Sequence, residues 1–441
     1  MLSRQDRGLS ILYSMPKRFD SSTAHLARAE ETIPLGAQTF SKSRTQYPVG
    51  YAPFFVTKGK KANLWDIDGN QFVDLVAALG AVSIGYCNRQ IDRAVRKQMR
   101  SGVTFSLSSK LESEVAELLV ALLPDAEMVR FAKNGSDVTS AAIRLARHIT
   151  GRKLVVRTNY HGWHDWYIGS TSRNSGVPKE VSDLTLVLPF NDLEEAKKIF
   201  SQSGDEISCL ILEPLGMDFP APGFLSGLRE LCNQYGALLI FDEVVTGFRV
   251  SKAGASSLFG VSPDLSCFGK GIANGYPLSA LVGKKKYMKE LVEVFFSGTF
   301  GGETLSLAAA HQVLTLVDKG QVVERLKTIG EDLERRIHKL LIEGEFGFLQ
   351  LSGHPAWKFL KWNIEPRYLD DAKTLFLQEM LNEGILILNT FNIMTSLSKS
   401  DLNKIESAFV NVLPKLKYCL TTGDFQRYLQ AETIKPLFKI R

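Results

Sequence analysis

Five cysteines in 441 residues, with no CxxC pair among them, leave little for a disulfide scaffold or a thiolate metal site. Cys87, Cys209, Cys232, Cys267 and Cys419 are far apart and odd in number, and several lie in apolar runs, where a free thiol behaves as a small hydrophobe. That usage points to a reducing compartment, and the cytoplasm is the expected location. No apolar segment is long enough to cross a bilayer, so no membrane partner is expected. The N-terminus carries Arg4, Arg7, Lys17 and Arg18 among serines but has no apolar signal core. This counts against secretion and leaves only a weak organelle-import reading. Charge of one sign is not concentrated either. The net charge of +6 comes from 53 basic and 47 acidic residues, dispersed apart from short clusters such as Lys284-Lys285-Lys286. A nucleic-acid partner would need a basic face, and none is expected. A GxGxxG turn after a strand, which a nicotinamide dehydrogenase would need, is missing. Internal repeats and low-complexity segments are missing too.

What remains is an ordinary globular composition, 44% hydrophobic and 23% charged, in a chain long enough for two or three domains. Lys61–Trp65 and Gln71–Leu75 read as strands joined by an Asp-Gly turn. From about residue 88 the pattern alternates. Met128–Ala132, Leu154–Val156, Leu184–Leu188, Ile207–Leu212 and Ala237–Phe241 are short apolar runs with helical segments between several of them. Such a rhythm gives an α/β unit with a mostly parallel sheet covered on both faces. After Leu305 a long helical region begins, with Val322, Leu326, Ile329, Leu333, Ile337 and Leu340 at helical spacing. Strands near 348–351 and 357–362, a helix over 372–383 and a last helix capped at Ser400 follow. We expect an N-terminal segment, 1–75, that joins the smaller domain; a large domain, 76–320; and a smaller α+β domain, 321–441.

The chemistry gathers where strands end. Lys270 lies between Gly269 and Gly271, and Asp242 follows the apolar run Ala237–Phe241. An acid at a strand end and a glycine-flanked lysine are what a pyridoxal phosphate (PLP) enzyme requires. The lysine holds the aldehyde as a Schiff base, and the carboxylate keeps the pyridine nitrogen protonated. Asn134-Gly135-Ser136 stands where a strand gives way to a helix; it could cradle a phosphate or simply cap the helix. Tyr160 in Tyr160-His161-Gly162-Trp163-His164 could stack on a flat ring. His161 and His164 are three apart, but a structural role outweighs a metal, for which no third ligand is near. Glu213 ends another strand. Thr299, in Ser297-Gly298-Thr299-Phe300-Gly301-Gly302, could serve a phosphate or a turn.

Taken in order, Asn134–Ser136, Tyr160–Gly162, Glu213-Pro214, Asp242–Arg249, Phe268–Pro277 and Gly298–Gly302 resemble the class III PLP-dependent aminotransferases, and within them the glutamate-1-semialdehyde 2,1-aminomutase-like branch. The similarity covers roughly residues 32–415. It implies the PLP-dependent transferase fold type I and a homodimer with active sites at the interface. It also implies amino transfer from a donor to a carbonyl acceptor, with intramolecular aminomutation as the alternative. By that resemblance Lys270 carries the cofactor and moves the proton, and Asp242 pairs with the pyridine nitrogen. Tyr160 and Val244 enclose the ring, with His161 beside them. Asn134, Gly135 and Ser136 hold the phosphate, Thr299 reaches in from the partner, and Glu213 lies near the cofactor hydroxyl. The family's Ser-Gly-Thr-Glu is Asn134-Gly135-Ser136-Asp137 here, and Glu303-Thr304 replaces an Asn-Pro or His-Pro pair. The aminomutase's arginine-bearing Asn-Ser-Pro-Val-Arg stretch is replaced by Gln38–Pro48. Lys42, Arg44, Tyr47 and Tyr51 are expected to line a wider, polar entrance, suited to an acceptor such as a sugar or secondary metabolite.

Overall fold

In the computed structural model, which describes residues 18–435, fourteen strands form three sheets. They are β1 (Val56–Lys60), β2 (Asn63–Asp66), β3 (Gln71–Asp74), β4 (Met128–Ala132), β5 (Leu154–Arg157), β6 (Thr185–Val187) and β7 (Ile207–Leu212), then β8 (Leu238–Glu243), β9 (Leu265–Phe268), β10 (Ser279–Gly283), β11 (Leu349–His354), β12 (Trp357–Trp362), β13 (Ile385–Leu386) and β14 (Thr390–Asn392). Arg4, Arg7 and Lys17, with the import reading that rests on them, lie outside the described residues.

The largest sheet has seven strands in the order β4-β10-β9-β8-β7-β5-β6. Only β10 runs against its neighbours, β4 and β9; the other pairs are parallel. Every residue of β7 and β8 is buried, as unbroken apolar runs require when helices cover both faces. On one face lies the Gly135–Thr150 helix, whose Val138, Ala142 and Leu145 are fully buried. On the other, Phe224–Tyr235 presents Leu228 and Cys232. Phase by phase, this is the fold type I arrangement.

A four-stranded sheet, β1-β2-β3-β13, joins the early hairpin to a strand from far along the chain. A third sheet, β11-β12-β14, faces the helices Pro366–Asn382 and Lys399–Thr422. Three helix boundaries differ from expectation. The helix expected over 372–383 is Pro366–Asn382, which starts at a proline six residues earlier. The region after Leu305 is two helices, Thr304–Asp318 and Val323–Glu343. The last helix is capped by Ser398, not Ser400, because Asp401 lies three residues on from Ser398 and returns the hydrogen bond.

Arg249 knits these parts together. Its side chain is fully buried, and burial pulls its guanidinium down to about 10. It donates to the carbonyls of Gly80 (2.9 Å), Ile393 (3.1 Å) and Ala356 (3.2 Å), from three distant segments. All five thiols are free, four of them buried and Cys87 exposed.

Candidate active site

The C-terminal ends of β4, β5, β7 and β8 converge on one side of the large sheet, where open α/β sheets bind ligands. At the end of β8, Asp242 is 4% exposed. Its Oδ1 accepts from the Val244 amide at 3.1 Å, and its Oδ2 lies 2.8 Å from Nδ1 of His161. Two partners fix the carboxylate. His161 is fully enclosed behind it, so it acts on Asp242 and does not face a ligand on that side. The other ring nitrogen, Nε2, is buried without a hydrogen-bond partner among the described residues. His164 bonds Ser140 instead (2.7 Å), and no three metal-binding side chains gather among the described residues.

The next residue, Glu243, turns away from that crevice. It accepts from the amides of Ala255 and Ser256, both at 3.0 Å, and from the Thr246 hydroxyl. Burial pushes its carboxyl up to about 6 despite these donors.

Asn134 precedes the Gly135–Thr150 helix. Asp137 caps its start by accepting from the amides of Asn134 (2.7 Å) and Lys133 (3.2 Å). The first-turn amides at Gly135 and Ser136 therefore point outward, as at any helix start. The Tyr160–Gly162 loop lies directly on this turn. Gly162 has φ +108°, and a Cβ there would stand 2.2 Å from Oγ of Ser136. The Thr139 hydroxyl also holds the His161 carbonyl, at 3.0 Å. Two motifs 24 residues apart thus form one surface.

Val244 fills the space between two glycines. A Cβ on Gly135 would meet it at 3.1 Å, and one on Gly269 at 3.2 Å. Lys270 follows in a single turn, Lys270–Ala273, with φ +42°, a left-handed backbone of the kind that collects at functional sites. Lys270 and Tyr160 both line a cavity of about 480 Å³. Glu213, 3% exposed, follows the end of β7. Thr299 is exposed on its loop, beyond this cavity's lining. Glu303 caps the Thr304–Asp318 helix and pairs with Lys133 at 3.0 Å, tying that loop to the Asn134 turn.

The entrance is built differently from expectation. Arg44 pairs with Glu30, and Tyr47 packs beside Phe19, Leu64 and Phe72. Ser41, Thr45 and Gln46 line the cavity from that loop, while Lys42, Arg44, Tyr47 and Tyr51 do not. The inner face of this irregular loop thus carries two short hydroxyls and one amide in place of the charged and aromatic side chains. Sequence reasoning also missed Trp357, Asn392 and Ile434, which line the cavity from the other sheet and the C-terminal segment. It missed the left-handed run Ala77-Ala78-Leu79 (φ +49° to +60°), where Leu79 reaches the cavity. The Asp74 carboxylate holds this turn through the amides of Val76 (2.8 Å) and Ala77 (3.0 Å). Gly80 ends the run in the same left-handed region (φ +82°), but the three residues before it carry no turn signal of their own.

Cofactor chemistry fits this donor set. A helix-start cradle, a fixed buried carboxylate, a lysine in a strained turn and a flat aromatic share one crevice, with glycines where a Cβ would press on Val244.

The comparisons agree. The family model for aminotransferase class-III matches residues 46–400. The chain is 38% identical over 349 residues to the glutamate-1-semialdehyde 2,1-aminomutase of Desulfitobacterium hafniense strain DSM 10664 / DCB-2, covering 75% of this chain and 79% of that protein. It is 37% identical over 323 residues to the 3-aminobutyryl-CoA aminotransferase of Cloacimonas acidaminovorans, covering 71% and 77%. In structure it resembles the FumI protein of Sphingopyxis sp. MTA144, solved in its PLP internal aldimine form, with a TM-score of 0.84 and 26% identity over 90% of this chain and 97% of the other. With a model match over most of its length and relatives this similar, the chain belongs to the class III aminotransferases.

Proposed function

We propose that the protein is a PLP-dependent aminotransferase that takes an amino group from a donor and delivers it to a carbonyl acceptor. One observation carries this: Lys270 opens into a cavity at the same strand ends where Asp242 is locked by His161 and Val244. In this reading Lys270 holds the cofactor aldehyde and Asp242 its ring nitrogen. Tyr160 and Val244 lie against its faces, Glu213 near its hydroxyl, and Asn134, Gly135 and Ser136 at its phosphate. Bound there, PLP supplies an electron sink for the bonds of the amine-bearing carbon. Nζ of Lys270 moves the proton at that carbon. The fixed Asp242 carboxylate keeps a negative charge where a ring proton needs it, and His161 keeps that carboxylate in place.

A homodimer is part of the same proposal. Val292 (84% exposed), Phe295 (81%) and Leu107 (86%) leave large apolar side chains in water. The loop that carries Leu107 is tied to the start of the Thr304–Asp318 helix, since the Thr304 amide donates to the Val103 carbonyl at 2.9 Å. Large apolar side chains left this exposed are what an interaction surface offers. A second copy seated there would bring its Thr299 to the neighbouring phosphate site. Residues 76–320 act as the cofactor-binding domain, and 321–441 with 1–75 as the smaller one. The free thiols suit a cytoplasmic location; no helix among the described residues is long and apolar enough to cross a membrane.

Aminomutation within one molecule is the second reading, favoured by the 38% identity to an aminomutase. It needs a firm grip on a small carboxylate, which arginine's planar fork provides. Among the described residues lining the cavity there is no arginine. The test is borohydride reduction of the PLP-loaded protein, peptide mapping, and a panel of amino donors followed by cofactor absorbance. Label at Lys270 and release of a free oxo acid support amino transfer. Label at another lysine defeats the site, and strict retention of the amine in one molecule defeats transfer.

A further inference from the structure

Beyond the last helix, Lys399–Thr422, the chain turns back and lies along the Pro366–Asn382 helix as far as the cavity. Gln378, in the interior of that helix, is fully buried. Its Nε2 donates to the Tyr428 carbonyl at 2.8 Å, and its Oε1 accepts from the amides of Gln430 (2.8 Å) and Ala431 (3.0 Å). One turn earlier, the Thr374 hydroxyl accepts from the Ile434 amide at 2.9 Å. One turn earlier again, Asp371 accepts from the Thr433 hydroxyl. Three successive turns of one helix therefore grip the returning chain. A buried glutamine is tolerated only when its amide is satisfied. Apart from Glu379, every partner given for it belongs to the C-terminal segment. The helix sequence is thus written for this docking. Phe425, 6% exposed, anchors the turn against Tyr368, with ring centroids 5.6 Å apart.

The docking delivers Ile434 to the cavity wall, beside Thr374 and Leu377. The same cavity is lined by Met217, Val245, Trp357 and Phe359, one apolar cluster drawn from the segments after β7 and β8 and from β12. The segment lies outside the residues, 46–400, that match the family model.

We propose that residues 424–435 are a specificity-setting wall of the substrate cavity, and that the space they close takes an amine or carbonyl compound with an apolar side chain of aromatic size. This rests on the aminotransferase reading. The apolar cluster of Met217, Val245, Trp357 and Phe359 gives that side chain a carbon surface, while Gln46, Asp370, Lys373 and Asn392 leave hydrogen-bonding groups elsewhere in the lining for the polar part of the substrate. Ile434 limits how long that side chain can be. Gln378 acts on it only by positioning the segment; Thr374 positions the segment and also lines the cavity.

The probes are ethylamine and 2-phenylethylamine, mixed with the PLP-loaded full chain, with kcat/KM taken from the loss of cofactor absorbance. In the native protein 2-phenylethylamine should be preferred. Ile434→Trp should lower the preference ratio by about tenfold or more, the scale of a changed pocket contact. Thr374→Val should shift the same ratio and also speed hydrogen exchange at the Gln430, Ala431 and Ile434 amides, a readout that needs no cofactor. Gln378→Leu should do both more strongly; if it does not fold, Thr374→Val still decides. An unchanged ratio in Ile434→Trp, or slow exchange retained in Thr374→Val, overturns the wall. Preference for ethylamine in the native protein overturns the substrate class alone. If no amine of any size discharges the cofactor, the aminotransferase reading fails and the proposal with it.

Discussion

Replacing Arg249 with methionine keeps most of the side-chain volume and removes the donors. Three carbonyls, of Gly80, Ala356 and Ile393, then lose their hydrogen bonds inside the protein. Each such group costs about 1–3 kcal/mol, so the loss is roughly 3–9 kcal/mol. One term opposes it. Burial pulls the guanidinium well below its ordinary value, to about 10, so methionine relieves a burial cost of about 3 kcal/mol. The carbonyls win, because the apolar replacement has nothing to offer them, and a net loss of about 3 kcal/mol is the central expectation. Domains hold only about 5–15 kcal/mol in total, so the midpoint of guanidinium denaturation should fall clearly. The loss should also be local. Ala356 and Ile393 flank Trp357 and Asn392 of the cavity wall, so limited proteolysis should cut first between 345 and 395, and KM should rise more than kcat falls. Arg249→Lys should be intermediate, since one ammonium cannot span three carbonyls in the guanidinium's geometry. An Arg249→Met protein with an unchanged midpoint and digestion pattern would refute the clamp.

Glu243 makes stability fall with rising pH. Its folded pKa of about 6 exceeds the ordinary 4.5, so the native protein binds this proton more tightly than the unfolded chain, and the associated stability is lost between those values. Denaturation midpoints at pH 4 and 7 should show that slope in the native protein and lack it in Glu243→Gln; identical slopes would assign it elsewhere. Asp242→Asn should fold and keep much of its PLP, yet lose about a hundredfold or more in turnover because the fixed charge is gone; near-normal turnover would mean another acid serves the ring nitrogen. His161→Phe should lower turnover less than Asp242→Asn, measured by stopped-flow half-reactions, and should also lower the midpoint of folding, because the buried Asp242 carboxylate loses one of its two partners. Mixing Lys270→Ala with a severe Thr299 variant, each inactive alone, should restore part of the activity through hybrid dimers, whereas sedimentation of an active monomer would contradict shared sites.

The site was legible because its chemistry sits in contiguous words. An acid closing an apolar run and a lysine between glycines can be read without knowing where the chain goes next. The parallel sheet was legible for a similar reason, since Ile207–Leu212 and Leu238–Phe241 are too apolar to face water on either side. What stayed hidden depends on residues far apart in sequence. Arg249 looks like the end of a motif, and its partners lie 107 to 169 residues away. Gln378 reads as a solvent-facing position of an amphipathic helix until the returning chain covers it. Ala77-Ala78-Leu79 has a composition that favours right-handed helix, and local hydrogen bonds from the Val76 and Ala77 amides to the Asp74 carboxylate hold it otherwise. The Ser398 cap was misplaced by two residues because two serines compete, and only the side chain of Asp401 decides between them.

The pairing of β3 with β13 has a consequence for synthesis. Val73 meets Ile385 and Asp74 meets Leu386, about 300 residues later. On a ribosome adding roughly 5–20 residues each second, the early hairpin waits about 15–60 s for its last strand. Throughout that time one side of β3 presents unpaired amides and carbonyls next to the buried Phe72 and Val73, a ready template for strand exchange between nascent chains. The large sheet, spanning residues 128–283, can close well before then. The growing polypeptide therefore carries a finished core and an open edge at once, and a holding chaperone would find its binding site at the beginning of the message, not the end.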